Sequence, residues 1–114
     1  RSSDLVSMFK KAASLNVPTQ MIQAVVTEDE RPFAQKLDSI TDNYEQAQLH
    51  LHVKDKEGYL EAKELEQYLS EQPEIYICGG TKFLHSIINS LKELNYDMNH
   101  VHFETFIPRL SVQV

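Results

Sequence analysis

Residues Glu74 to Leu84 read EIYICGGTKFL, and this stretch decides the fold. Four apolar residues, Ile75 to Cys78, run into Gly79-Gly80, and a helical pattern starts at once. Leu84, Ile87, Ile88, Leu91 and Leu94 then recur at the spacing of one helix face, with Thr81 placed to cap the helix. A short buried run, two glycines and an amphipathic helix make the strand–turn–helix junction of an α/β protein. The glycines have two readings. They form a tight turn, or they let a ligand lie against the backbone at the carboxyl end of a buried strand.

Working outward, the same alternation recurs on both sides. Ser2, Ser3 and Asp4 offer capping oxygens, and Leu5, Met8, Phe9, Ala12 and Leu15 follow at helical spacing until Asn16-Val17-Pro18 stops the helix. Gln20 to Val26, QMIQAVV, is short and apolar on both faces, as an interior strand is. Pro32 can open a helix with Phe33, Leu37, Ile40 and Tyr44 on one side. Gln48 to Val53, QLHLHV, alternates like an edge strand with one wetter face. A loop over 54–58 leads to a short helix, Ala62 to Leu69, with Leu65, Tyr68 and Leu69 inward. Val101 to Phe106, VHFETF, is the last strand. The sum is α-β-α-β-α-β-α-β: a small parallel sheet of about four strands with helices on both faces and right-handed crossovers. Strand 20–26 is expected beside 48–53, and strand 75–78 beside 101–106.

Composition bounds the function. A chain of 114 residues with 41% hydrophobic and 25% charged content makes one modest core. Its net charge of -6 lacks the basic face that nucleic acid requires. No apolar run reaches the roughly 18 residues needed to cross a membrane. Cys78 is the only cysteine, so there is no internal disulfide and no CxxC metal site, which suits a reducing cytoplasm. GxGxxG, P-loop and GxSxG fingerprints are all absent. His50 and His52 share one strand face, as do His100 and His102; facing pairs can bind zinc, but exposed edge-strand histidines are the commoner reading. Glu57, Glu61, Glu64 and Glu66 read as a solvated helix face. Near the end, Glu104 and Phe106 lie two apart and share a strand face. A carboxylate beside an aromatic ring suits a flat redox cofactor, although a packed Phe and a solvated Glu give the same pattern.

The segments IYICGGTKFL and LKELNYDMNHVHFETFIP resemble the carboxyl-terminal reductase module of bacterial flavohemoproteins, the nitric oxide dioxygenases of the ferredoxin–NADP reductase-like superfamily. The resemblance extends more loosely to NVPTQMIQAVV and DKEGYLEAKEL, and so covers the whole chain, 1–114, as one NAD(P)-binding-like subdomain. It implies that Cys78, Gly79 and Gly80 match a Cys-Gly-Pro turn beside the nicotinamide, with Gly80 in place of proline. It implies that Glu104 matches an acid that tunes flavin and haem potentials. Thr105, Phe106, Ile107 and Pro108 then match the flavin-side segment, with Ile107 in place of glycine. NAD(P)H and FAD are the cofactors the resemblance implies, with haem on a separate globin domain and the flavin on a barrel domain, neither of which lies in these residues. No metal ligands are implied within the chain itself.

The sequence also departs from the family. Ser3-Asp4 stands where a glycine-rich turn ends in Thr-Pro, so a carboxylate falls where phosphates should sit. The family's first strand, central between those matching 20–26 and 75–78, has no counterpart here. Two repairs of that lane are possible. Strand 20–26 pairs directly with 75–78, the expected outcome, or a strand from a second copy fills the lane and makes a homodimer, with the tail Leu110–Val114 as the only spare β segment. A chain without the flavin and haem domains is expected to be inactive alone; a non-catalytic remnant or interaction module is the alternative.

Overall fold

A computed structural model of the chain describes residues 4–25, 33–54 and 62–105. In chain order the elements are α1 (Asp4–Ser14), β1 (Thr19–Val25), α2 (Ala34–Asn43), β2 (Ala47–Val53), α3 (Ala62–Glu66), β3 (Glu74–Gly79), α4 (Thr81–Glu93), a 3-10 turn (Met98–His100) and β4 (Val101–Thr105). The capping residues Ser2 and Ser3, the opening proline Pro32, Glu57, Glu61, the flavin-side residues Phe106, Ile107 and Pro108, and the tail 110–114 lie outside the described residues.

The four strands form one sheet in the order β2-β1-β3-β4, with every pair parallel. β1 sits beside β2 with Ile22 opposite His50, and β3 sits beside β4 with Ile77 opposite Phe103. β1 and β3 pair directly from Thr19↔Glu74 to Gln23↔Cys78. This is the closure expected from the sequence, and it leaves no lane between β1 and β3 for a strand from a second copy.

Strict alternation along the central strands gives each face its own core. One face carries Met21, Tyr76 and Cys78 under Leu5, Val6, Phe9 and Ala13 of α1 and Leu37 and Ile40 of α2. Phe9 meets the Tyr76 ring edge-on, with centroids 5.7 Å apart. The other face carries Ile22, Ala24, Ile75, Ile77 and Val101 under Leu65 of α3 and Phe83, Leu84, Ile87 and Leu91 of α4. Both α1 and α4 end on an asparagine in the left-handed region, Asn16 at φ 66° and Asn95 at φ 60°. The next amides fold back, Val17 N–H to Ala12 O and Tyr96 N–H to Leu91 O, which satisfies carbonyls a helix end leaves free.

Three expectations need correction. Met8 and Leu15 face solvent at 41% and 65% exposure, and Val6 and Ala13 complete the buried stripe of α1 instead. The helix predicted over 62–69 ends at Glu66, and turns carry Leu69 against the core and Tyr68 onto His50. Thr81 does not cap α4: Gly80 is the cap residue, in extended conformation, and Thr81 is the first helical residue. A glycine cap provides the bend without a side-chain acceptor.

Candidate functional site

In the order β2-β1-β3-β4, successive connections leave the sheet to opposite sides between β1 and β3. The chain after β1 enters α2 on one face, and the chain after β3 enters α4 on the other. The backbones diverge there, so a crevice opens at the carboxyl ends of the strands, where ligands of open α/β sheets sit. A cleft of about 300 Å3 occupies this place, with Ala24 and Val25 at the end of β1, Gly80 to Phe83 at the start of α4, and Lys54 after β2. Its floor is apolar through Ala24 and Phe83, while the ammonium groups of Lys54 and Lys82 supply charge at a lining otherwise without it.

The two glycines of the quoted stretch have different reasons to be there. A Cβ on Gly79 would lie 3.1 Å from Ala24 Cβ and 3.3 Å from Ala24 O, a tight approach that the closeness of β1 makes costly for any side chain. A Cβ on Gly80 would meet nothing within 4 Å, and its φ of -73° suits any residue, proline included. Gly80 borders the cleft with an open flank.

Cys78 points the other way. Its side chain belongs to the core under α1 and α2, in the layer opposite Ala24 and Phe83. It stands in register with Glu104 on β4 and Gln23 on β1, and Gln23 is wholly buried. Burial pushes the Cys78 thiol up to about 11, and the negative charge of Glu104 adds to the effect. A thiol so protonated is a poor nucleophile at neutral pH. Glu104 is half-buried and Thr105 exposed at the end of β4.

The histidines of β2 are not the wet edge pair that alternation suggested. His50 stacks on Tyr68 with ring centroids 3.7 Å apart and meets Gln20 Oε1 through Nε2; burial lowers its pKa. His52 is 5% exposed and tilts over Phe83 at 5.4 Å, beneath the cleft. The turn after α3 and the first turn of α4 cover this face, a tertiary effect that the strand's own pattern cannot report. Among the described residues no group of three or more His, Cys, Asp and Glu could hold a metal ion.

At the opposite end of the sheet, sequence reasoning missed a cluster. Glu74, the first residue of β3, accepts from His102 Nε2 at 2.8 Å and meets His100 Nδ1 with its other oxygen. His102 also stacks on Tyr76, and Asp97 lies 3.6 Å from His100 Nε2. The two-residue spacing of His100 and His102 was legible in sequence, but the shared strand face expected of them needs correction. His100 belongs to the 3-10 turn before β4, and both reach Glu74, which sits on another strand and needed the register. The hydrogen bonds and Coulomb attraction of Glu74 raise the His100 pKa, with Asp97 adding to them. Burial acts to raise Glu74, but the bonds and charges of His102 and His100 outweigh it, and its pKa is lowered. The His100 contribution is full below its ordinary 6.5 and is lost as pH rises through its raised value. The Glu74 contribution is full above its ordinary 4.5 and is lost as pH falls through its lowered value. The clamp is therefore tightest between these two ordinary values. Amide-exchange protection of His102 and Phe103, corrected for intrinsic rates, should be higher at pH 5.5 than at pH 8.5. His100→Ala should flatten that difference, and a wild-type protein equally protected at both pH values would remove the clamp from the account.

No family model matches the chain. The chain is 24% identical to flavohemoprotein B of Dictyostelium discoideum over 122 residues, which is 95% of this chain. It is 26% identical to a flavohemoprotein of Bacillus cereus over 124 residues, 97% of this chain. A flavohemoprotein of a second Bacillus cereus strain reaches 37% identity over 60 residues, 52% of this chain. The chain spans only 29% and 30% of the length of the first two relatives. It is thus similar, over nearly its whole length, to a minor part of flavohemoproteins. No helix among the described residues is long and apolar enough to cross a membrane.

Proposed function

We propose that this chain is the NAD(P)H-binding part of a flavohemoprotein-type electron-transfer protein of the cytoplasm, acting with flavin and haem domains that its 114 residues do not include. In such a protein NAD(P)H gives hydride to FAD, and electrons pass to haem for dioxygenation of nitric oxide. The observation that carries the reading is the cleft at the β1/β3 divergence, bordered by the open flank of Gly80. Ala24, Val25 and Phe83 offer an apolar seat for a planar ring, and Gly80 lets that ring approach the backbone. Lys54 and Lys82 would attract the anionic end of the same ligand. Glu104 and Thr105 end β4 beyond Cys78, where the resemblance assigns the flavin side, with Phe106, Ile107 and Pro108 following.

The fit is good for one half of the dinucleotide only. α1 opens on Asp4, whose carboxylate lies at the helix end that would otherwise favour phosphate. Binding by the chain alone should therefore be weaker than micromolar, which is about -8 kcal/mol. A titration with NADH followed by amide shifts should move Ala24, Gly80 and Thr81 at millimolar ligand. Micromolar affinity by calorimetry would contradict the reading of Asp4. Silence at these amides would favour the second reading, a non-catalytic interaction module, which Asp4 and the closed sheet also support.

A further inference from the structure

On the opposite face of the sheet from the cleft, α1 and α2 border a groove of about 320 Å3. Val6 and Ile40, both buried, form its floor. Lys10 stands on the α1 side and Lys36 on the α2 side, with the hydroxyls of Ser7 and Ser39 beside them and Tyr44 at the end of α2. Spacing explains the convergence: Val6 and Lys10 are one turn apart on α1, and Lys36, Ser39 and Ile40 share a stripe of α2.

The charge in this groove is unusual for the molecule. The chain carries a net -6, yet no carboxylate lines the groove among the described residues. Neither Lys10 nor Lys36 is in an ion pair with a described residue. Asn43 Nδ2 donates to Ser39 O at 2.8 Å and to Ser39 Oγ at 3.3 Å, which fixes that side chain and leaves its O–H available to donate. Two ammonium groups on facing helices and several hydroxyl donors suit a ligand with two negative charges and three terminal oxygens. A single carboxylate would leave one ammonium unanswered. Over the floor there is room for a small polar or cyclic body.

We propose that the α1/α2 groove binds a phosphate monoester, with the phosphoryl oxygens between Lys10 and Lys36 and the organic part over Val6, Ile40 and Tyr44. The proposal does not depend on the nucleotide cleft.

The test is a titration of the whole chain with ribose 5-phosphate, and in parallel with inorganic phosphate, read by amide and side-chain shifts at low salt. The expected result is saturable movement of Ser7, Lys10, Lys36 and Ser39 signals, with a dissociation constant on the order of 1 mM, and the ester binding at least about threefold more tightly than the free ion. The pair Lys10→Ala and Lys36→Ala should weaken binding by about tenfold or more. The pair Lys63→Ala and Lys92→Ala changes net charge equally on the other face and should leave it unaltered. All four lysines are exposed on helices, where alanine keeps the fold. An unmoved groove at saturating ester, or binding that survives loss of both Lys10 and Lys36, would overturn the proposal. Equal affinity for inorganic phosphate would overturn the ester assignment.

Discussion

Gly79→Ala should lower the urea midpoint by an amount equivalent to about 1–3 kcal/mol, while Gly80→Ala leaves it unchanged or raises it by about 0.4–1 kcal/mol. The two substitutions add the same methyl group to adjacent residues. At residue 79 that methyl would press on both Ala24 Cβ and Ala24 O. The Ala24 backbone has little freedom to retreat, since β1 is held by β2 on one side and β3 on the other. At residue 80 the methyl meets open space in a backbone conformation that alanine accepts, and the unfolded chain loses freedom. Against a total stability of about 5–15 kcal/mol, the first loss is easily read. Equal midpoints would mean that Ala24 gives way enough to admit the methyl, and the rigidity ascribed to β1 would have to be given up.

Alkylation of Cys78 should be about 100-fold slower than that of an unstructured cysteine at pH 7.5, because a thiol raised from 9.0 to about 11 holds about 100-fold less thiolate. Steric cover by α1 and α2 slows it further. Full reactivity should return in denaturant. Glu104→Gln should speed the reaction, though by less than unfolding does, since burial is the larger cause and the carboxylate the smaller. The sign also fixes an alkaline limit. A thiol whose folded value is raised supports folding below its ordinary value and loses that support as pH climbs towards about 11. Rapid labelling in the native state would place the sulfur in solvent rather than in the core.

Much of the fold was legible because local pattern and tertiary environment agree. QMIQAVV is apolar on both sides, and β1 is central with both faces covered. IYIC predicts a buried strand, and Ile75, Tyr76, Ile77 and Cys78 are all buried in β3. Even the direct β1–β3 pairing followed from the cost of leaving backbone groups unpaired, roughly 1–3 kcal/mol each. What stayed hidden depends on register and on neighbours distant in sequence. Glu74 could not be linked to His100 and His102 before β3 and β4 were aligned. QLHLHV alternates as an edge strand does, yet Tyr68 and Phe83 cover its histidines. The role of Cys78 was blurred for a related reason: its neighbours Gly79 and Gly80 border the strand end, but a single step of pleat turns the thiol into the opposite layer. Lys36, Ser39 and Ile40 were in plain view at helical spacing, but their match on α1 emerges only when the two helices lie side by side.

The direct β1–β3 seam also sets a hierarchy in how the molecule comes together. Gln20 and Gln48, neighbours across β1 and β2, are 28 residues apart, whereas Gln20 and its partner Ile75 on β3 are separated by about twice that length. Doubling a closed loop costs about 0.6 kcal/mol more in chain entropy. The β1–β2 pairing is thus the cheaper one to close in chain entropy. The cleft has one wall on each side of that seam. It comes into being only with the long-range closure, so local opening between β1 and β3 would erase the cleft.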